Sequence, residues 1–484
     1  MKQNKVVIVG AGFSGMCMAI KLKEAGIDDF IVLEKAATLG GTWRENTYPG
    51  AECDIPSALY SYSFEHNSKW KHKWSKQRQI FQYQKDIAAK YQLEQHIQYE
   101  TELVSAEYDQ QNASWQIVDQ KSQAIVAQHL VSAVGQLHHP SIPVFKDAEL
   151  FEGSTFHSAK WNDQVDLRDK RVAVIGNAAS AVQFIPEIAS SVRHLTVFQR
   201  SANWILPKMD REYTRFEQWV SDKLSWITKT YRFGLWLKGE IGIFPAIRGN
   251  RLSRAILRAW SMRTMRKSIA DNELLVKLIP DYPIGAKRIL FADHYYPALG
   301  RENVSLETSA IERFDAQGIH TGDGEYQPFD VVIYATGFKT NPFLAPMRIV
   351  GENGQLLSAA WNNGAHAFLG VSTHGFPNLH MMYGPNTNLG HNSIIIMIEA
   401  QAKYIVQSIV QLDSKSCNAM SVKLEIEEHY NREIQGRLAK MAFSEVEHSW
   451  YMDGGKVTNN WVGGTGEYRR LLREVDWSNY SLSN

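Results

Sequence analysis

VVIVGAGFSGMCMAIKLKEAGIDDFIVLEK, residues 6–35, decides the fold. Val6 to Val9 form a continuous apolar run, the pattern of a strand buried on both faces. A glycine turn follows, GAGFSG from Gly10 to Gly15, and then a helical stretch that ends at Gly26. A second apolar run, FIVLEK, carries Glu34 at its end. The glycines have separate tasks. Gly10 permits the turn, Gly12 lets the backbone approach a pyrophosphate, and Gly15 lets the helix pack on the sheet. Free N–H groups at the helix N-terminus then hold phosphates, and the acid at the second strand takes a ribose diol. Phe13 and Ser14, inside the turn, join Gly10, Gly12, Gly15 and Glu34 as nucleotide-binding candidates.

The same arrangement returns at RVAVIGNAASAVQF, from Arg171 to Phe184. Gly176 opens this turn, and Ala178 and Ala181 stand where the later glycines would be. Both are small enough to keep the close approach. In TVFQRSANW, Arg200 lies as far beyond Gly176 as Glu34 lies beyond Gly10. A cation at the ribose position pairs with a 2′-phosphate, which NADP carries and NAD lacks. The first unit therefore reads as an FAD site and the second as an NADP site. Gly176, Asn177, Ala178, Ala179, Ser180 and Ser201 are expected to line the NADP phosphates. Two dinucleotide units in one chain imply electron transfer between two cofactors.

The fold class that follows is α/β, with two Rossmann-like dinucleotide-binding domains and a helical insert in the NADP domain. The runs LVSAVGQLHHPSIP, residues 130–143, and FDVVIYATG, residues 329–337, read as strands that leave a nucleotide domain into linkers. They place an NADP domain at residues 144–340, with its insert at about 208–284. An FAD domain is then built from residues 1–143 and 341–484.

Composition narrows the function. A net charge of +1 over 484 residues carries no nucleic-acid signature. Three cysteines without a CxxC pair give no dithiol redox centre and suggest a reducing compartment. The chain shows no signal peptide and no apolar run of spanning length, so a cytoplasmic location is expected. No HExxH or GxSxG motif occurs, and no metal site is expected. Residues 211–270 are unusual, with 13 Lys/Arg against 4 Asp/Glu. RLSRAILRAWSMRTMRK, residues 251–267, has the pattern of a basic amphipathic helix. It reads either as a contact with a membrane surface or as a helical cap with a solvated basic face.

Three further stretches carry a resemblance: GGTWRENTYPGAECD (40–54), FEGSTFHSAKWN (151–162) and GFPNLHMMYGPN (375–386). With the two nucleotide units they resemble the Baeyer–Villiger monooxygenases, a branch of the flavin-dependent monooxygenases. The resemblance implies an FAD-containing, NADPH-dependent enzyme. It would insert one oxygen atom of O₂ into a ketone through a C4a-peroxyflavin, giving an ester or lactone, with sulfide oxidation as a side activity. It also implies roles. Arg288 would be the catalytic cation, oriented by Asp54, and Lys287 would hold the 2′-phosphate. Thr42, Trp43, Asp54, Tyr60, Gln136 and Val104, the last through its backbone, would lie at the FAD. Trp450 would lie near the nicotinamide ribose, and His157 would be a hinge on the inter-domain linker. Asn162 departs from the family's pattern for the stretch 151–162, which ends in Pro or Asp, and alanines replace the later glycines of the second turn. These departures leave room for the alternative, an N- or S-hydroxylating flavin monooxygenase without ketone activity.

Overall fold

The computed structural model describes residues 3–446 and 449–484. Its first sheet is built around the opening motif. Gln3–Val9 is the central strand, with Val6, Val7 and Ile8 fully buried. It pairs in parallel with Phe30–Leu33 on one side and Ala124–Ser132 on the other. The spatial order is Arg348–Val350, Leu103–Asp109, Ser114–Asp119, Ala124–Ser132, Gln3–Val9, Phe30–Leu33, Ile97–Gln98. Leu379–Met381 adds in parallel to the end of Ala124–Ser132. Strands from beyond residue 340 thus complete a sheet begun at residue 3. The helix Phe13–Glu24 covers one face and packs against the long helix Ile394–Ser414.

The second sheet is parallel throughout, in the order Val304–Glu307, His194–Phe198, Arg171–Ile175, Val331–Tyr334, Ser154–His157. Its apolar runs are buried because both faces are covered, one of them in part by Phe314 and Ile319 of the antiparallel strands Ile311–Phe314 and Gly318–Thr321. Two chain segments join the sheets, and they run side by side. Ser141 N–H donates to the Gly337 carbonyl (2.9 Å) and Lys339 N–H to the His139 carbonyl (2.8 Å). His157 ends its strand against Phe338 of this pair, with ring centroids 5.9 Å apart.

The insert is helical, as its sequence pattern suggests, with helices at Arg215–Lys223, Ser225–Lys238, Phe244–Ile247, Arg251–Ser268 and Asn272–Lys277. Two polar side chains, the buried Arg232 and the half-buried Glu240, fasten it to the first unit and the C-terminal stretch. Arg232 donates to the Ala58 carbonyl (2.6 Å) and to Ser61 (3.1 Å). Glu240 accepts from Thr465 N–H and hydroxyl and from Asn392. Among the described residues, no helix is long and apolar enough to cross a membrane.

Candidate active site

A cleft of about 1000 Å³ separates the two sheets and draws its walls from both. The glycine turns line it because strands of a parallel sheet end there, at the carboxyl edge where such folds bind ligands. At the first turn the helix begins with Gly12, which offers no side-chain cap, so first-turn N–H groups stay available. Gly12 faces Gly41, whose Cα is 3.8 Å from where a Cβ on Gly12 would sit. The two glycines leave a backbone-lined channel that a side chain on either would fill. Gly15 lies beneath the cleft rather than on its wall. A Cβ there would meet the Gly10 carbonyl oxygen at 1.8 Å, so its glycine serves helix packing, as the spacing suggests.

Glu34 is buried and already engaged. Its carboxylate accepts from Ala11 N–H (2.9 Å), Ala36 N–H (3.0 Å) and Arg44 (3.0 Å). These bonds fix its position on the cleft wall while leaving acceptor capacity for a hydroxyl pair. Gln136 donates to the Tyr383 carbonyl (3.0 Å), and its own Oε1 is buried without a partner. A buried orphan acceptor on a cleft wall calls for a donor from outside the chain. Trp43 Nε1 donates to the Tyr60 hydroxyl (3.1 Å), and the two rings meet edge to face beside Phe13. Burial, above all, raises the Tyr60 pKa well above its ordinary value, so the phenol stays neutral. Glu45 accepts from His138 (3.1 Å) and Arg44 (2.7 Å); burial raises its pKa, but His138 first and Arg44 second outweigh this and hold it at about 2.

The second turn presents Gly176, Asn177, Ala178, Ala179 and Ser180 to the same cleft. Asn177 donates to Gln199 (2.7 Å) and to the Ser201 carbonyl (3.0 Å), which locks the turn against the strand that carries Arg200. Lys287 lies across the opening, 3.4 Å from the Ser201 hydroxyl and 4.5 Å above the Tyr282 ring. Burial first, and Arg200 second, lower the Lys287 pKa. Two cations thus converge on one point at the end of the second unit, the condition for binding a phosphate.

The decisive feature is the next residue. Arg288 Nε donates to Asp54 Oδ2 (2.8 Å), and its terminal nitrogen lies 2.6 Å from the same oxygen. Both side chains are about one-quarter exposed, toward the cleft. Burial pulls the guanidinium pKa down, but Asp54, Tyr451 and Tyr383 more than offset this, and the net shift is upward. A permanent cation therefore stands at the junction of the two nucleotide walls.

The stretch that carries Asp54 is held by the opposite half of the chain. Gln183, on the helix Ala181–Ile188, accepts from the Tyr48 hydroxyl (2.9 Å) and Glu52 N–H (3.2 Å) and donates to the Glu52 carbonyl (3.0 Å). A Cβ on Gly50 would meet the Gln183 carbonyl oxygen at 2.6 Å. Tyr48-Pro49-Gly50, within the stretch 40–54, is thus a docking surface for this helix. Lys208, its side chain 2% exposed, donates to Glu52 (2.6 Å) and to the Cys53 carbonyl (3.2 Å). Lys208→Met leaves Glu52 with Lys76 alone. It is expected to cost about 1–3 kcal/mol of stability and to raise the ratio of NADPH consumed to product formed. Thermal unfolding and paired NADPH and product assays check both.

The structure brings all the predicted site residues to this cleft except two. Gly15 lies below it, as its packing task requires. Val104, expected to act through its backbone, directly follows Thr101, Glu102 and Leu103 of the cleft wall and is itself 48% exposed. The strand enters the sheet at Leu103, and a register shift there turns the following residue outward. Trp450 lines the cleft, and its carbonyl accepts from Thr340 (3.0 Å). Gln183 and Lys208 escaped sequence reasoning, although each is a polar residue that the fold buries. Tyr383, Asn388, Asn392 and Ile398 also line the cleft. Tyr383 falls inside the landmark GFPNLHMMYGPN, which was the signal that could have found it.

Two dinucleotide folds that share one cleft, with an arginine–carboxylate pair between their turns, make the scaffold of an oxidoreductase that uses two nucleotide cofactors. Residues 7–235 match the family model described as pyridine nucleotide-disulphide oxidoreductase. A Baeyer–Villiger monooxygenase of Pseudomonas aeruginosa is 38% identical over 482 residues, covering 99% of this chain and 91% of that protein. Among solved structures, an oxidised steroid monooxygenase bound to NADP superposes with a TM-score of 0.88 at 28% identity, over 100% of both chains. OTEMO in complex with FAD and NADP superposes with a TM-score of 0.87 at 25% identity, over 99% of both. The chain belongs to the Baeyer–Villiger monooxygenases. It is an FAD- and NADPH-dependent monooxygenase, and the comparisons favour this reading over the N- or S-hydroxylating alternative.

Proposed function

We propose that the substrate is a ketone and that Arg288, held by Asp54, is the catalytic cation. The observation that carries the reading is the Arg288–Asp54 pair on the cleft wall between the two nucleotide turns. In the balanced reaction NADPH supplies two electrons, one oxygen atom of O₂ enters beside the carbonyl carbon, and the other leaves as water. Bound FAD supplies the activation of O₂. The chain supplies position, charge and shelter. The fixed guanidinium stabilises negative charge on the carbonyl oxygen as it develops, at no cost in reorganisation. Asp54 sets its direction and keeps the local charge near neutral. The walls, with Trp43, Tyr60, Leu389 and Ile398, keep water from the reacting atoms.

Gly10, Gly12, Phe13, Ser14, Glu34, Thr42, Trp43, Tyr60 and Gln136 are assigned to FAD. Gly176 to Ser180, Arg200, Ser201, Lys287 and Trp450 are assigned to NADP. Residues 1–143 with 341–484 form the flavin half, and residues 144–340 the NADP half. A panel of ketones, sulfides and amines followed by NADPH oxidation and product mass tests the reading. Gain of one oxygen with ester or lactone formation supports it, and a panel that yields only sulfoxides or hydroxylamines overturns it. Sulfides are expected as secondary substrates. The basic insert is further taken as a contact with a membrane surface, a reading supported by the large apolar side chains it exposes.

A further inference from the structure

The helical insert is the most apolar part of the exposed surface. Phe216, Trp219, Trp226, Phe233, Ile241, Leu252 and Ile256 are each more than half exposed. Isolated exposed apolar residues are ordinary, but a cluster in one short stretch marks an interaction surface. The helix Ser225–Lys238 and the turn after it set Trp226, Phe233 and Ile241 along one stripe, since seven- and eight-residue steps return to the same side.

The helix Arg251–Ser268 adds charge. Its inner side is buried through Leu257, Ser261 and Met265, and the Ser261 hydroxyl donates to the Ile205 carbonyl (2.8 Å). Its outer side exposes Leu252 (70%) and Ile256 (58%) amid Arg251, Arg258, Arg263, Arg266 and Lys267. None of these five cations has an ion-pair partner among the described residues; of the helix, only Arg254 does, with Glu445. Residues 241–270 contain no acid at all. Unpaired cations beside exposed aliphatic groups are what an interfacial helix needs: charge for anionic headgroups and apolar side chains for the acyl boundary. A nucleic acid would engage the cations but leave Leu252 and Ile256 without a role.

We infer that the insert docks on an anionic lipid bilayer, with the outer face of Arg251–Ser268 against the headgroups and Leu252 and Ile256 entering the boundary. The inference rests on the membrane-contact reading of the insert and adds to it the lipid charge and the element responsible. The test is flotation of the FAD-loaded enzyme with phosphatidylcholine vesicles, with and without phosphatidylglycerol, at low and high salt. Binding is expected only to the anionic vesicles and is expected to weaken with salt. Arg251→Glu/Arg258→Glu/Arg263→Glu is expected to lower partitioning on the order of 100-fold, at about fivefold per cation. Leu252→Ser/Ile256→Ser is expected to remove the binding that survives high salt. Both variants should keep FAD and unfold at the temperature of the parent, since all five side chains point to solvent. Equal binding to neutral and anionic vesicles would overturn the choice of anionic lipid but leave the membrane contact standing. Binding to neither would remove both, and undiminished binding of the triple variant would show that another face docks. Binding to a duplex oligonucleotide in place of vesicles would identify the partner as a polyanion and overturn the inference.

Discussion

Arg288→Ala is expected to abolish ester formation while NADPH still reduces the flavin. The two half-reactions separate because hydride delivery depends on the nucleotide walls, whereas oxygen transfer depends on a cation at the carbonyl oxygen. Loss of one preorganised electrostatic donor typically costs about 10²–10³-fold in turnover. Here the donor is also, among the described residues, the only group that contacts Asp54 by side-chain hydrogen bonds, so the carboxylate is left uncompensated on the cleft wall. Arg288→Lys should recover little. A lysine has no planar fork, and it cannot place two donors on Asp54 Oδ2 and still face the cleft. Anaerobic flavin bleaching followed by product mass analysis checks both halves. Ester formation that persists in Arg288→Ala would remove the residue from the mechanism. Because the net shift of its pKa is upward, Arg288 stays charged at every pH the fold tolerates. A loss of ester yield at alkaline pH in the parent enzyme would therefore report a different group.

The second large effect concerns the choice of nucleotide. Arg200 and Lys287 each offer a charge-assisted bond to a 2′-phosphate, worth about 1.5–3 kcal/mol, or roughly 10–100-fold in NADPH affinity. Arg200→Ala should raise the KM for NADPH by that factor and leave the KM for NADH nearly unchanged. Arg200→Ala/Lys287→Ala should use the two nucleotides about equally. The pH dependence has a definite sign. Burial and Arg200 depress the Lys287 pKa, so its charge is lost earlier than for an ordinary lysine as pH rises. The preference for NADPH should therefore weaken on the alkaline side, and Arg200→Ala should move that weakening to higher pH by removing the repulsion. Steady-state kinetics with both nucleotides across pH would measure it. An unaltered NADPH preference in the double variant would place the 2′-phosphate elsewhere.

Both nucleotide turns were legible because their information is local. Strand, turn and helix follow within 30 residues, and part of what the glycines answer lies inside the turn. Gly15 shows this well, since the obstacle to a side chain is the carbonyl of Gly10, five residues earlier. The register that pointed to Arg200 is local too. Arg288 and Asp54 are different. They lie 234 residues apart in the chain, and only the resemblance to a family joined them. At Val104 strand entry geometry, not residue type, turns the side chain away from the cleft, which residue type alone does not announce. Gln183 sits in a run of apolar residues and reads as a helix position like any other. Its importance comes from the backbone of residues 48–52, which nothing near it in sequence announces. The insert was legible as a basic helix, but the large apolar side chains on its surface could be seen only once the buried side was known.

The clasp made by Gln183 and Lys208 on residues 48–54 bears on how such enzymes could be recombined. A chimera assembled from two parents would join unrelated partners at this clasp if its crossover fell between residue 54 and residue 183. The helix and the segment it grips would then come from different lineages, and the carboxylate that aims the arginine would sit on a badly seated strip. Crossovers that keep both pieces from one parent should yield coupled enzymes far more often, and a shuffled library sorted by peroxide release would reveal that bias.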